Sequence, residues 1–276
     1  MKPRESIRAE GVGKTFAPSD LHRRTLKERL TRSNVQAAST TIDVLEDVSF
    51  SVEAGECFGV VGHNGSGKST LLQLLAGIYP VDRGTIDIRG VLAPIIDLGV
   101  GFNQDLPAVE NLVANGVLTG LSPSSARSRA FRIIALAGLD DHLRLKVKHY
   151  SSGMRARLAF ATMVHTEADI LLLDEVLAVG DVAFRKLCSM VIRELLAGGR
   201  TAVLVTHQMS ALRELCDRAM LLHQGRIIAL GDSPMIADRY TELVGTQAQQ
   251  EQSRGGRVPA QLNGLARAEA VPIRTH

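Results

Sequence analysis

Gly62, Gly67, Lys68 and Ser69 have the types and spacing of a phosphate-binding loop, G-x-x-x-x-G-K-[ST]. The full stretch reads Gly62-His63-Asn64-Gly65-Ser66-Gly67-Lys68-Ser69-Thr70. Its glycines let the backbone curl so that successive N–H groups face one anion, and a helix beginning at its end adds the positive end of a dipole. Lys68 is expected to reach the β and γ phosphates of a nucleotide, and the Ser69 hydroxyl to take one place on Mg²⁺. At average glycine usage about one chain of this length in a hundred would match by chance. A strand-like run at Glu56–Val61 before the loop and a helix-like run at Leu71–Ala76 after it make chance rarer still.

Three further residues fit the same chemistry. Ile170-Leu171-Leu172-Leu173-Asp174-Glu175 is a continuous apolar run ending in two acids, the pattern of a central parallel strand buried on both faces. Such a strand delivers Asp174 and Glu175 to the carboxyl edge of the sheet, where Asp174 would hold Mg²⁺ and Glu175 would polarise the attacking water. Thr201–Thr206 reads as a neighbouring strand, with His207 at its end. An imidazole there can hydrogen-bond a γ-phosphate. Two acids capping a strand, or a lone histidine after one, are structural in most chains; the upstream loop is what shifts both toward function. Tyr150-Ser151-Ser152-Gly153-Met154 opens a helix running to about His165. Its two hydroxyls and glycine form a second possible phosphate cradle, a weak signal alone because serine caps begin many helices.

The elements that must position these groups are those of an α/β fold. Ser6–Phe16 and Glu46–Val52 read as strands, with Ala54-Gly55 turning into the strand that feeds the loop. Beyond the loop helix, Val81–Gly84 is expected to turn, and Thr85–Ile88 and Val91–Ile96 to be short strands. Residues 103–165 read as an inserted helical subdomain. Within it Ser122-Pro123 starts a helix, Arg127, Arg129 and Arg132 are expected to face water, and Phe131, Ile134, Leu136 and Leu139 to face in. Met220–His223 and Arg226–Leu230, joined by Gln224-Gly225, read as a closing hairpin.

At 276 residues and 45% hydrophobic the chain can bury a sizeable core. A formal net charge of +3 does not call for a nucleic-acid partner, and 4% aromatic content without Trp offers no platform for stacking bases. No run is apolar enough to span a bilayer and no N-terminal stretch reads as a signal peptide, so a cytoplasmic protein is expected. Cys57, Cys188 and Cys216 lack metal-ligand spacing and read as reduced core thiols. A segment at about 17–44 is far longer than a hairpin connection. Its middle, Leu21–Val35, carries Arg23, Arg24, Lys27, Arg29 and Arg32 against Glu28, with Leu26 and Leu30 in helical phase. It is either a solvated surface segment or a basic helix at a membrane surface or anionic ligand.

Together these motifs resemble the nucleotide-binding subunit of an ATP-binding cassette (ABC) transporter over residues 5 to 243. The resemblance makes residues 62–70 the Walker A loop, Ser151-Ser152-Gly153-Met154 the signature, and Asp174 with Glu175 the Walker B pair. It also makes Ala178-Val179-Gly180-Asp181 the D-loop, His207 the switch histidine and Phe16 the aromatic that stacks on adenine. It implies a P-loop NTPase fold with a mostly parallel core sheet, an antiparallel β subdomain and an inserted helical subdomain. The cofactors it implies are ATP and Mg²⁺. ATP is held between the Walker A of one copy and the signature of another, so a homodimer is implied.

Ser152 in place of the common glycine, Asp174–Asp181 followed by Phe184, Leu98–Phe102 and the long insertion are similar to ATPases that export O-antigen, capsule or teichoic acid. That narrower resemblance implies an integral ABC-2 type permease, a lipid-linked polysaccharide cargo, and peripheral residence on the cytoplasmic face of the inner membrane. It makes segment 17–44 a basic gate helix near the lipid-pyrophosphate end of the cargo. The usual Q-loop glutamine lacks a clean counterpart, its place falling near Asp97 or Leu98, with Gln104 too late. Residues 245–276, rich in Gln, Arg and Ala, are expected to be a disordered tail rather than a sugar-binding domain. Three alternatives fit less well. An exporter of another substrate shares every motif. A chromosome-maintenance ABC ATPase would carry coiled coils or zinc modules, and a degenerate regulatory subunit would lack Glu175 or His207.

Overall fold

A computed structural model describes residues 5–17, 41–95, 102–118, 120–174 and 182–255. Strands β1 (Glu5–Phe16), β2 (Ile42–Glu53) and β4 (Arg83–Ile88) form a three-stranded antiparallel sheet in the order β2-β1-β4. Strands β3 (Cys57–Val61), β5 (Leu92–Ile95), β6 (Ile170–Asp174), β7 (Thr201–Val205), β8 (Arg218–His223) and β9 (Arg226–Asp232) form a six-stranded sheet. Its order is β5-β6-β7-β3-β8-β9, parallel except for β9, which returns antiparallel beside β8. Every residue of β3 and β7 is buried, as is β6 up to Asp174. Strands covered on both faces need continuous apolar runs, and these have them.

Helix α1 (Lys68–Leu75) shares one core with both sheets. Its Leu71, Leu72, Leu74 and Leu75 pack in a cluster with Val12, Leu45 and Val48 from the antiparallel sheet and Phe58, Val60 and Leu172 from the parallel one. Each leucine buried there contributes roughly 1.5–3 kcal/mol. The helix after the phosphate loop is thus held from two sides.

A second core belongs to the helical insertion, α2 (Ala108–Leu118), α3 (Pro123–Ala137) and α4 (Ser152–Val164). Ser122 caps α3, its Oγ accepting from the Ser125 N–H at 3.2 Å, with Pro123 in the first turn as expected. Phe131 does not face in: it is 47% exposed, because the buried stripe of α3 is Ala126, Ala130, Ile133, Ile134 and Ala137. Alanines hold the helix close to its neighbours, and residue 131 falls off that stripe. Arg129 does not stand free in water either, since its side chain is 22% exposed and reaches Glu167 at 3.4 Å.

The remaining α-helices among the described residues are α5 (Val182–Ala197), α6 (Met209–Leu215) and α7 (Ser233–Gly255). Cys57, Cys188 and Cys216 are all buried, and burial pushes the Cys188 thiol up to about 12. The turn expected at Val81–Gly84 is shorter, because β4 already begins at Arg83. The Asp82 N–H donates to the Gly13 carbonyl, drawing this segment into register with β1. Two compact units divide at 237/238, within α7, and that helix continues past Val244 to Gly255, where a disordered tail was expected. The basic segment around Leu21–Val35 lies outside the described residues.

The Gln224-Gly225 turn between β8 and β9 ties the sheets together. The Gly225 N–H donates to the Ser66 carbonyl at 3.0 Å, and its carbonyl accepts from Glu46 N–H at 2.8 Å. Gly225 has φ +77°, and a Cβ there would lie 2.5 Å from the Val44 carbonyl oxygen. Gly225→Ala is therefore expected to lower stability by more than about 1 kcal/mol, read as a shifted urea midpoint.

Candidate functional site

Three adjacent strands bring the sequence-predicted groups to one edge of the parallel sheet. In register, Val60 of β3 lies beside Val205 of β7, and Val205 beside Asp174 of β6. β3 runs on through Val61 into the phosphate loop, β7 into Thr206 and His207, and β6 ends on Asp174. The carboxyl ends of β3, β7 and β6 therefore place the loop, His207 and Asp174 side by side. Thr206 holds the start of the His207 turn, its Oγ1 accepting from Gln208 N–H at 3.0 Å. His207 itself is exposed and Asp174 half-buried.

The loop is folded as a cradle. Gly67 takes the N-cap position of α1 with no side-chain cap, so the first-turn N–H groups keep their donor capacity for an anion. The Lys68 ammonium is buried beneath the loop and donates to the carbonyls of Gly62 and His63, both at 2.7 Å. Asn64, Gly65 and Ser69 are exposed along the rim, with His63 and Thr70 half-buried. The buried Ser66 Oγ has no hydrogen-bond partner. A Cβ at Gly62 would lie 2.2 Å from the Leu222 carbonyl oxygen and 2.6 Å from Ser66 Oγ. The loop thus sits on β8 at a distance only glycine allows.

Ser151 caps α4, its Oγ accepting from the Met154 N–H at 3.2 Å. Ser151 and Ser152 are exposed, and an added Cβ at Gly153 would meet nothing closer than Ser151 Oγ at 3.8 Å. The Met154 side chain packs against the helical core instead of standing beside them. Tyr150, just before, is buried and its OH donates to the His142 carbonyl at 2.8 Å; burial raises its pKa. From α5, Phe184 meets Phe160 of α4 edge-on at 5.8 Å and lies 4.8 Å beneath the Arg157 guanidinium.

Phe16, half-buried at the end of β1, meets the Tyr79 ring edge-on at 5.3 Å. Tyr79 went unnoticed in the sequence; nothing in its spacing marks it, because the contact joins residues on different elements. Glu175, Asp181, Asp97 and Leu98 lie outside the described residues. Gln104 is exposed, and its carbonyl accepts from Lys148 N–H. Among the described residues no group of three or more His, Cys, Asp or Glu could hold a metal ion alone. A hydroxyl and a carboxylate at this edge suit Mg²⁺ bound chiefly through water and phosphate oxygens.

Comparison with known proteins adds to this geometry. The family profile described as ABC transporter matches residues 45–178. The ABC transporter protein AbcA of Aeromonas salmonicida is 37% identical, with 86% of this chain and 76% of that one covered. The O-antigen export system ATP-binding protein RfbB of Klebsiella pneumoniae is 39% identical over 72% of this chain and 81% of its own. The teichoic acids export ATP-binding protein TagH of Listeria innocua is also 39% identical, and the match spans 59% of that longer protein. Among solved structures, the dimeric ATP-binding cassette MJ0796 in a post-hydrolysis state with ADP and Pi superposes with TM-score 0.67 at 21% identity. That match covers 82% of this chain and 98% of that one.

Lys68→Ala removes the charged donor from the cradle while leaving its backbone. It should weaken ATP binding by about 10- to 100-fold, the worth of a charge-assisted hydrogen bond, in an equilibrium titration, and lower the melting temperature because the Gly62 and His63 carbonyls lose their donor.

Proposed function

Because this chain belongs to the ABC transporter family, we propose that it is the ATP-hydrolysing subunit of a polysaccharide exporter. The observation that carries the reading is the convergence of the Lys68 cradle, Asp174 and His207 on one sheet edge. Lys68 and the N–H groups of residues 62–70 bind the phosphates, and Phe16 stacks on the adenine. Ser69 and Asp174 would hold Mg²⁺, which would supply charge neutralisation on the phosphate oxygens. Glu175 polarises a water and accepts its proton as the water oxygen bonds to the γ-phosphorus and the bond to the bridging oxygen breaks. ADP and phosphate leave, and His207 hydrogen-bonds the γ-phosphate as charge shifts.

One copy holds half of this site. Ser151, Ser152 and Gly153 of a second copy close over the γ-phosphate in a head-to-tail homodimer, with Asp181 at the seam. The open space above Gly153 supports this, since it is what an approaching nucleotide requires. The cargo we assign is a lipid-linked polymer such as O-antigen, capsule or teichoic acid, as the names of the RfbB and TagH relatives suggest. The remaining partner is an ABC-2 type permease, with this subunit peripheral on the cytoplasmic face of the inner membrane. Among the described residues no helix is long and apolar enough to cross a membrane. The basic part of the insertion, Leu21–Val35, serves as a gate for the anionic end of the cargo, the insertion ending before β2 begins at Ile42.

Gly153→Asp tests the two-copy site. A Cβ at 153 meets nothing closer than 3.8 Å and the residue lies away from the Lys68 cradle, so ATP binding should persist while hydrolysis falls to background. Normal turnover would rule the shared site out. Neutralising Arg23, Arg24 and Lys27 tests the cargo: polymer export in cells should drop with ATPase activity retained. Undiminished export would remove the gate.

A further inference from the structure

Phe16 is the last residue of its strand, and a half-exposed ring at a strand end has rotameric freedom to lose when a base stacks on it. Here that freedom is already restricted. The Tyr79 ring stands edge-on to Phe16, with centroids 5.3 Å apart and planes at 81°, the preferred arrangement of an aromatic pair. Lys14 Nζ lies 5.3 Å from the Phe16 centroid and 6.0 Å from that of Tyr79, so the cation serves both rings.

The same lysine fixes the segment that carries Tyr79. It is 6% exposed and donates to the Pro80 carbonyl and to Asp82 Oδ1, both at 2.9 Å. Asp82 Oδ2 accepts from the Thr15 N–H at 2.7 Å, one residue before Phe16. That N–H, with Lys14, holds the Asp82 carboxyl below its ordinary pKa. On the other side, the Ile78 N–H donates to the Gln73 carbonyl of α1 at 2.9 Å. Tyr79 is therefore bracketed between the end of β1 and the helix that starts at Lys68.

We propose that Tyr79 is a positioning residue for nucleotide binding, acting through Phe16 by fixing the ring on which the base stacks. The proposal rests on the reading of Phe16 as the base platform. Tyr79 is 39% exposed, and its ring meets the Phe16 ring edge-on. The phenol oxygen is not needed for an edge contact; the ring is.

The test is a double-mutant cycle on the full chain, with KM and kcat for ATP measured for Phe16→Ala, Tyr79→Ala, Tyr79→Phe and the Phe16→Ala/Tyr79→Ala pair. Tyr79→Ala should raise KM about three- to ten-fold with kcat unchanged, and Tyr79→Phe should restore it. In the Phe16→Ala background the Tyr79→Ala change should add nothing further. Inhibition by inorganic triphosphate, which lacks a base, should be the same in every variant. If Phe16→Ala raises KM and Tyr79→Ala does not, or adds its full effect in the pair, Tyr79 does not act through Phe16 and the proposal falls alone. If Phe16→Ala leaves KM unchanged, the base-platform reading falls and takes the proposal with it. Weakened triphosphate inhibition in Tyr79→Ala would show a loss of the phosphate loop and likewise overturn it.

Discussion

The carbonyl oxygen of Leu222 occupies the place where a side chain at residue 62 would begin. That contact, between the first turn of the phosphate loop and β8, constrains much of the remaining structure. It demands glycine at one position, and it sets the loop against the strand by backbone alone. The β8–β9 turn then reaches back to the Ser66 carbonyl, and β2 in turn binds Gly225. Arg226 and Glu46 pair across the same seam. The loop is curled over Lys68 from inside and braced from outside, so its geometry precedes any ligand.

This bracing explains why a small antiparallel sheet accompanies the parallel one. The parallel strands supply the edge that carries Asp174, His207 and the loop. The antiparallel strands supply the wall: β2 backs the loop and β1 delivers Phe16. Helix α1 lies in the core common to both, with its apolar residues shared between them. Removing either sheet would leave that helix half covered and the cradle without one support.

The sequence exposed most of the central architecture because its signals are local. Continuous apolar runs such as Ile170–Leu173 declare strands covered on both faces, and a glycine-rich loop between a strand and a helix declares an anion site. Lys68 opens α1, Asp174 ends β6 and His207 follows β7, while Met154 is turned into the helical core. What stayed hidden depends on contacts between distant segments. Phe131 was expected to face in, but the buried stripe of α3 runs through Ala126, Ala130, Ile133, Ile134 and Ala137 and passes residue 131 by. The pairing of Tyr79 with Phe16 joins residues 63 positions apart, with no periodicity to announce it. Residues 245–255 looked too polar to order, yet helix formation needs no core of its own when it extends a helix already begun at Ser233; residues 256–276 lie outside the described residues.

Helix α1 has a consequence that follows from its length. It starts at Lys68 in the cradle and ends at Leu75, about 12 Å along its axis, and its C-terminal bonds carry the chain directly to Tyr79. One rigid rod therefore joins the phosphate end of the site to the base end. On the proposed reading it acts as a gauge: it sets a single spacing to which a nucleotide must conform at both ends. The spacing between base and phosphates is then a fixed property of the helix, while the strength of the contact at either end stays a matter of the side chains there.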